Sequence, residues 1–213
     1  MIELLTQGLD IIRHLDEHLQ RIVTEYQTLT YLILALIIFC ETGLVVTPFL
    51  PGDSLLFAAG AVAAGGDGLN VWILIPILIL AAILGDNTNY FFGRFLGKKV
   101  FQRDFWFLKK EYLTRTQEFY AKYGGKTLVM ARFVPIVRTF APFVAGVGEM
   151  YYSRFIGYCL GGGFLWVTSM TLAGYFFGGI PVVKENFEIV VVGIIGISVL
   201  PMVIEIWRSR RKG

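Results

Sequence analysis

Two short stretches place prolines and charges inside otherwise apolar sequence, and few folds tolerate that combination. The first reads Glu41-Thr42-Gly43-Leu44-Val45-Val46-Thr47-Pro48-Phe49-Leu50-Pro51-Gly52-Asp53-Ser54 and carries only acids. The second reads Arg132-Phe133-Val134-Pro135-Ile136-Val137-Arg138-Thr139-Phe140-Ala141-Pro142 and carries only bases. The 213 residues are 55% hydrophobic and 16% charged, where a soluble domain carries about 25% charged residues. The chain is therefore expected to be an integral membrane protein. Ionisable groups at membrane depth are costly and mark function, each with a partner. Their opposite signs make each stretch the natural partner of the other.

Along the chain, Leu4, Leu5, Leu9, Ile12, Leu15, Leu19, Ile22 and Val23 recur at helical spacing among charges. This predicts an amphipathic interfacial helix over 1–26. From 29 to 64 the sequence is apolar but interrupted. The run Leu29–Cys40 is too short to span, because a crossing helix needs about 20 residues. Pro48 and Pro51-Gly52 break the path, and Asp53-Ser54 suits the cap of a new helix reaching Ala64. Residues 127–149 repeat the pattern with Pro135 and Pro142 as breakers. Irregular backbone at membrane depth survives only buried in protein or lining a water-filled cavity.

The expected fold is all-α: an N-terminal amphipathic helix over 1–26, a membrane domain over 27–207 and a basic tail over 208–213. Within the membrane domain, re-entrant helical hairpins at about 29–64 and 127–149 are each followed by a full crossing, at 70–97 and 155–179. A last crossing is expected at 187–207. Nine of the 19 Lys and Arg fall within 94–126 and four within the tail, which puts both segments and the C-terminus on the cytoplasmic side. The N-terminal helix is acidic and is placed outside, with full crossing of 29–64 and an inner N-terminus as the alternative. Tyr90-Phe91-Phe92-Gly93 returns as Tyr175-Phe176-Phe177-Gly178, and Pro48 has a counterpart in Pro135. With the charge bias, these matches predict an inverted repeat, an arrangement transporters share.

The charged residues suggest a chemistry. Arg132 and Arg138 flank Pro135, and a guanidinium binds phosphate through a planar fork of donors. They, with Thr139, are the expected seat of an anionic head group; snorkelling of Arg132 to the interface is the competing role. Glu41 lies deep in an apolar run and Asp53 follows a break, so both are candidate proton carriers. The alternatives are a static ion pair for Glu41 and a helix cap for Asp53. Asp86, Tyr90, Gly93 and Gly97 share one helix face. That face, with Asn87, is expected to support the site, with Arg94 at the cytoplasmic interface. His14 and His18 are spaced like metal ligands but lack a third partner, so no metal and no cofactor is expected. Cys40 and Cys159 read as core residues. No hydrolase, zincin or P-loop motif occurs, so no enzyme activity is expected.

These residues resemble the DedA family, which shares the membrane domain of the SNARE-associated and VTT proteins. The resemblance covers roughly 25–207 and rests on Glu41-Thr42-Gly43, Pro48-Phe49-Leu50-Pro51-Gly52-Asp53-Ser54, Gly85-Asp86-Asn87 with Tyr90 and Gly93-Arg94, and Ala131-Arg132-Phe133-Val134-Pro135-Ile136-Val137-Arg138-Thr139. It implies a bacterial inner-membrane protein linked to proton motive force, envelope integrity and lipid recycling. The residues matching those the family requires are Glu41, Asp53, Arg132 and Arg138. Some members translocate undecaprenyl phosphate, and eukaryotic relatives scramble phospholipids. The leading expectation is a proton-coupled transporter of this polyprenyl phosphate from the outer to the inner leaflet. Its rivals are an antiporter of small cations or drugs driven by protons or sodium, a scramblase, and a membrane scaffold. Nothing points to nucleic acid, and a homodimer is compatible with so small a bundle.

Overall fold

A computed structural model describes residues 15–26, 28–44, 52–66, 68–100, 124–133 and 135–181, with isolated positions between 183 and 194. The described residues are helical, without a strand among them. In chain order the α-helices are α1 (Leu15–Tyr26), α2 (Leu29–Gly43), α3 (Gly52–Ala64), α4 (Val71–Val100), α5 (Thr127–Ala131), α6 (Pro135–Val147) and α7 (Tyr152–Phe177). Val71–Leu96 and Tyr152–Phe177 are predominantly apolar helical segments of 26 residues each. At about 1.5 Å per residue they exceed the roughly 30 Å hydrocarbon core of a bilayer. The shorter apolar helices α2 (15 residues) and α3 (13 residues) fall below that length. Residues 1–14, the loop 101–123, nearly all of the expected crossing at 187–207, and the tail lie outside the described residues, as do Pro48 and Pro51.

The helix boundaries follow local chemistry. Asn70 caps α4: its Oδ1 accepts from Trp72 N at 2.9 Å, satisfying one of the donors a helix start leaves open. Pro135 stands at the first position of α6, where its missing N–H costs nothing. Pro142, expected as a breaker, instead lies inside α6. A proline removes one intrahelical hydrogen bond but fixes a helical φ, and here the buried apolar neighbours Ala141, Phe143 and Val144 carry the helix past it.

The described residues divide into two units, the first within 1–35, 51–78 and 167–213, the second within 36–50 and 79–166. In the first, α3 is buried on nearly every side, as expected of a helix that is apolar all round. Helix α1 packs on it and buries Leu19 and Val23. Tyr31 Oη accepts from Asn70 N at 2.7 Å. Helix α3 meets the second half of α7 backbone to backbone: a Cβ on Gly60 would collide with the Thr171 carbonyl, and one on Gly174 with the Phe57 carbonyl. Small residues permit such approach between membrane helices.

The second unit packs α6 against the second half of α4 in the same way. A Cβ on Gly146 would collide with the Tyr90 carbonyl, and one on Gly93 with the Phe143 carbonyl. Phe57 and Gly60 precede Phe143 and Gly146 by 86 positions, while Thr171 and Gly174 follow Tyr90 and Gly93 by 81. The Tyr-Phe-Phe-Gly match, at 85, is thus one helical turn out of step with the packing. Tyr90 stacks on Phe155 at 4.2 Å within a cluster that includes Leu128, Ala131, Ala141, Ala145 and Cys159. The turn from α6 to α7 puts Glu149 at φ 53°, a conformation that crowds any Cβ. Glu149→Gly is expected to raise stability by about 1 kcal/mol, read as a higher unfolding midpoint in detergent.

Candidate functional site

The second unit holds two buried ion pairs. Glu41 sits in the last turn of α2 and Arg138 in the first turn of α6. Arg138 Nη2 donates to Glu41 Oε1. Glu41 is 1% exposed and Arg138 5%. The Arg138 guanidinium also lies over the Trp166 ring, 4.7 Å from its centroid, where the π face attracts a cation. Two contacts therefore help to fix this side chain: the Glu41 carboxylate on Nη2 and the face of the Trp166 indole against the guanidinium.

Arg132 follows α5 as its C-terminal cap residue and pairs with Asp86 of α4 through Nη2. Arg132 is 3% exposed and Asp86 2%. The same Nη2 reaches the Cys159 carbonyl at 3.3 Å. Gly162 makes room for it: a Cβ there would lie 2.9 Å from Arg132 Nε, so α7 offers bare backbone to the guanidinium. Among the described residues nothing accepts from Arg132 Nη1, although that atom is buried. A buried donor left unmade costs about 1–3 kcal/mol, more for a charged group. Nη1 is a donor with capacity to spare.

Asn89, one turn beyond Asp86 and fully buried, ties the pieces together. Its Nδ2 donates to the Thr42 carbonyl at 3.2 Å and the Thr139 carbonyl at 2.7 Å. Neighbouring groups are structural. Asn87 Nδ2 donates to Ile83 O at 2.7 Å, and its Oδ1 accepts from Tyr152 Oη at 2.8 Å. Tyr90 Oη donates to Met150 O at 2.6 Å and accepts from the exposed Arg94 at 3.0 Å. Thr42 Oγ1 donates to Ile38 O at 2.8 Å.

Of the residues singled out from sequence, the structure brings Glu41, Asp86, Arg132, Arg138 and Thr139 into one unit. It buries Arg132 rather than letting it snorkel. Asp86, expected as support, is the direct partner of Arg132. Asp53, 9% exposed in the first turn of α3, belongs to the other unit. Pro135 and Pro142 bracket Arg138 along α6. Trp166 and Asn89 went unread as site residues: a tryptophan in an apolar run and an asparagine on a mixed face give no signal until their neighbours are placed. No group of three metal-ligating side chains occurs among the described residues. His14 and the side chain of His18 lie outside them.

Two helices long and apolar enough to span a bilayer, with ion pairs buried beside them, are consistent with an integral membrane protein. Residues 50–176 match the VTT domain. The chain is 54% identical over 205 residues to Protein DedA of Escherichia coli K12, covering 95% of this chain and 94% of that one. It is 44% identical over 181 residues to an uncharacterised membrane protein of Mycobacterium tuberculosis H37Rv, covering 83% and 79%. It is 38% identical over 154 residues to Inner membrane protein YqjA of E. coli K12, covering 71% and 69%. No solved structure matches. The protein belongs to the DedA family of inner-membrane proteins.

Proposed function

We propose that the protein translocates a lipid phosphate, with undecaprenyl phosphate as cargo, from the outer to the inner leaflet of the inner membrane. One observation carries this: both arginines of the second broken stretch are buried and each is held by a carboxylate from another helix. A phosphate monoester presents the same kind of acceptor oxygens as those carboxylates and exchanges with them on a guanidinium fork. Arg132 Nη1 offers the first contact while Asp86 stays on Nη2. Protonation of Glu41 releases Arg138 to the head group. The polyprenyl tail stays in lipid. Asp53 serves as a second proton carrier, in the first unit. The distribution of Lys and Arg supports a cytoplasmic C-terminus.

The repeated glycine contacts support two copies of one broken-helix-plus-span element. The basic-residue bias supports their insertion in opposite senses, as in transporters with inverted repeats. The test is reconstitution in liposomes with undecaprenyl phosphate, with and without an imposed proton gradient. Crossing that needs the protein and accelerates with the gradient is the expected result. Gradient-independent crossing leaves a scramblase. Absence of crossing under every gradient removes the lipid assignment and favours antiport.

A further inference from the structure

Asn89 is chemically odd in its position. It is fully buried on a helix long and apolar enough to span the bilayer, and its amide donates to two carbonyls on two other helices. Those acceptors belong to Thr42 and Thr139, the residues that directly follow Glu41 and Arg138. The end of α2 and the start of α6 are thereby pinned by one side chain at the register where carboxylate and guanidinium meet. A buried amide that lost these acceptors would leave both donors unmade, a penalty that holds the bracket shut. Among the described residues Arg132 instead donates to Asp86 and the Cys159 carbonyl and packs against Gly162, and the charge of Arg138 also reaches Asp86.

From this geometry we infer that Asn89 is the latch of the Glu41–Arg138 pair: it positions that pair, and none of its hydrogen bonds goes to Arg132 or Asp86. The inference rests on the transport reading for its purpose and on contacts within one unit for its geometry. With Asn89 in place, Arg138 is presented to Glu41 or to an incoming phosphate in one register. Without it, α2 and α6 shift apart and Arg138 spends more time open.

The experiment measures arginine reactivity in the full chain, reconstituted in vesicles of phosphatidylethanolamine and phosphatidylglycerol. The probe is p-hydroxyphenylglyoxal, with modification at each arginine read by peptide mass spectrometry. Protection reports the population of locally opened states. In Asn89→Leu, which keeps the volume and loses both donors, modification of Arg138 is expected to rise about tenfold or more, as two lost hydrogen bonds imply. Arg132 is expected to stay protected. Asn89→Ser keeps one donor and gives a smaller rise, again at Arg138 alone; it is read in place of the leucine variant should that chain not fold. A parallel rise at both arginines, or none at either, overturns the latch. Undecaprenyl phosphate crossing is measured in the same vesicles. Selective opening of Arg138 with no crossing by the unsubstituted protein keeps the latch and removes the transport. Crossing without selective opening does the reverse.

Discussion

Replacing Arg138 by Ala is expected to lower the stability of the protein in detergent by about 3–5 kcal/mol, and adding Glu41→Leu to the same chain to restore most of the loss. The reason lies in what each change leaves behind. Arg138→Ala takes the guanidinium away from a Glu41 carboxylate that is 1% exposed, and a buried charge that loses its ion-pair partner is costly. The double change removes both charges and leaves apolar groups that pack. The comparison is a double-mutant cycle read by unfolding midpoints. Equal losses in the single and double variants would show that the pair is not what stabilises this region. On the proposed reading, transport is expected to stay abolished in both, because the double variant has a sound interior but lacks the Arg138 guanidinium to which the head group would pass. Stability and activity thus come apart at one residue pair.

Arg132→Ala is expected to slow undecaprenyl phosphate crossing in liposomes by about 30-fold to several thousand-fold. That range converts the roughly 2–5 kcal/mol lost when one partner of a buried, hydrogen-bonded charge pair is truncated. Arg132→Lys separates charge from shape. An ammonium still pairs with Asp86 and the protein folds. It lacks the planar fork whose Nη2 serves Asp86 and the Cys159 carbonyl while Nη1 remains for cargo, so transport stays well below that of the unsubstituted protein. If lysine at 132 and at 138 leaves transport intact while Glu41→Gln abolishes it, the carboxylates carry the cargo and cation antiport takes first place.

Much of this was legible because membrane sequence is written in few letters. The span expected at 70–97 appears as Val71–Val100 within α4, and that at 155–179 as Tyr152–Phe177. The break after Gly43 and the new helix at Gly52 with Asp53 in its first turn follow from Pro, Gly and Asp in sequence. The opposite signs of the two broken stretches foretold that they attract, and Glu41 with Arg138 is such a pair. Which arginine takes which acid was not legible. Arg132 finds Asp86 across 46 positions, a choice made by how α4 and α5 pack. Pro142 misled because proline reads as a breaker although its φ fits a helix. Asn89 and Trp166 act through partners on other helices, and no periodicity encodes a partner.

The two ion pairs have one more consequence. Among the described residues, the buried charges of the second unit are two arginines and two carboxylates, so with both pairs ionised their charges cancel. A transmembrane voltage acts on net charge, at about 2.3 kcal/mol per elementary charge per 100 mV. Taken together, these four charges at rest give the membrane potential no net charge to push. On the proposed reading the potential would gain purchase when a proton or an anionic head group arrives, and an anion that brings its own proton would pass unfelt. At rest the buried charges of this unit are balanced, and on the proposed reading the driving force would be felt by what the protein carries.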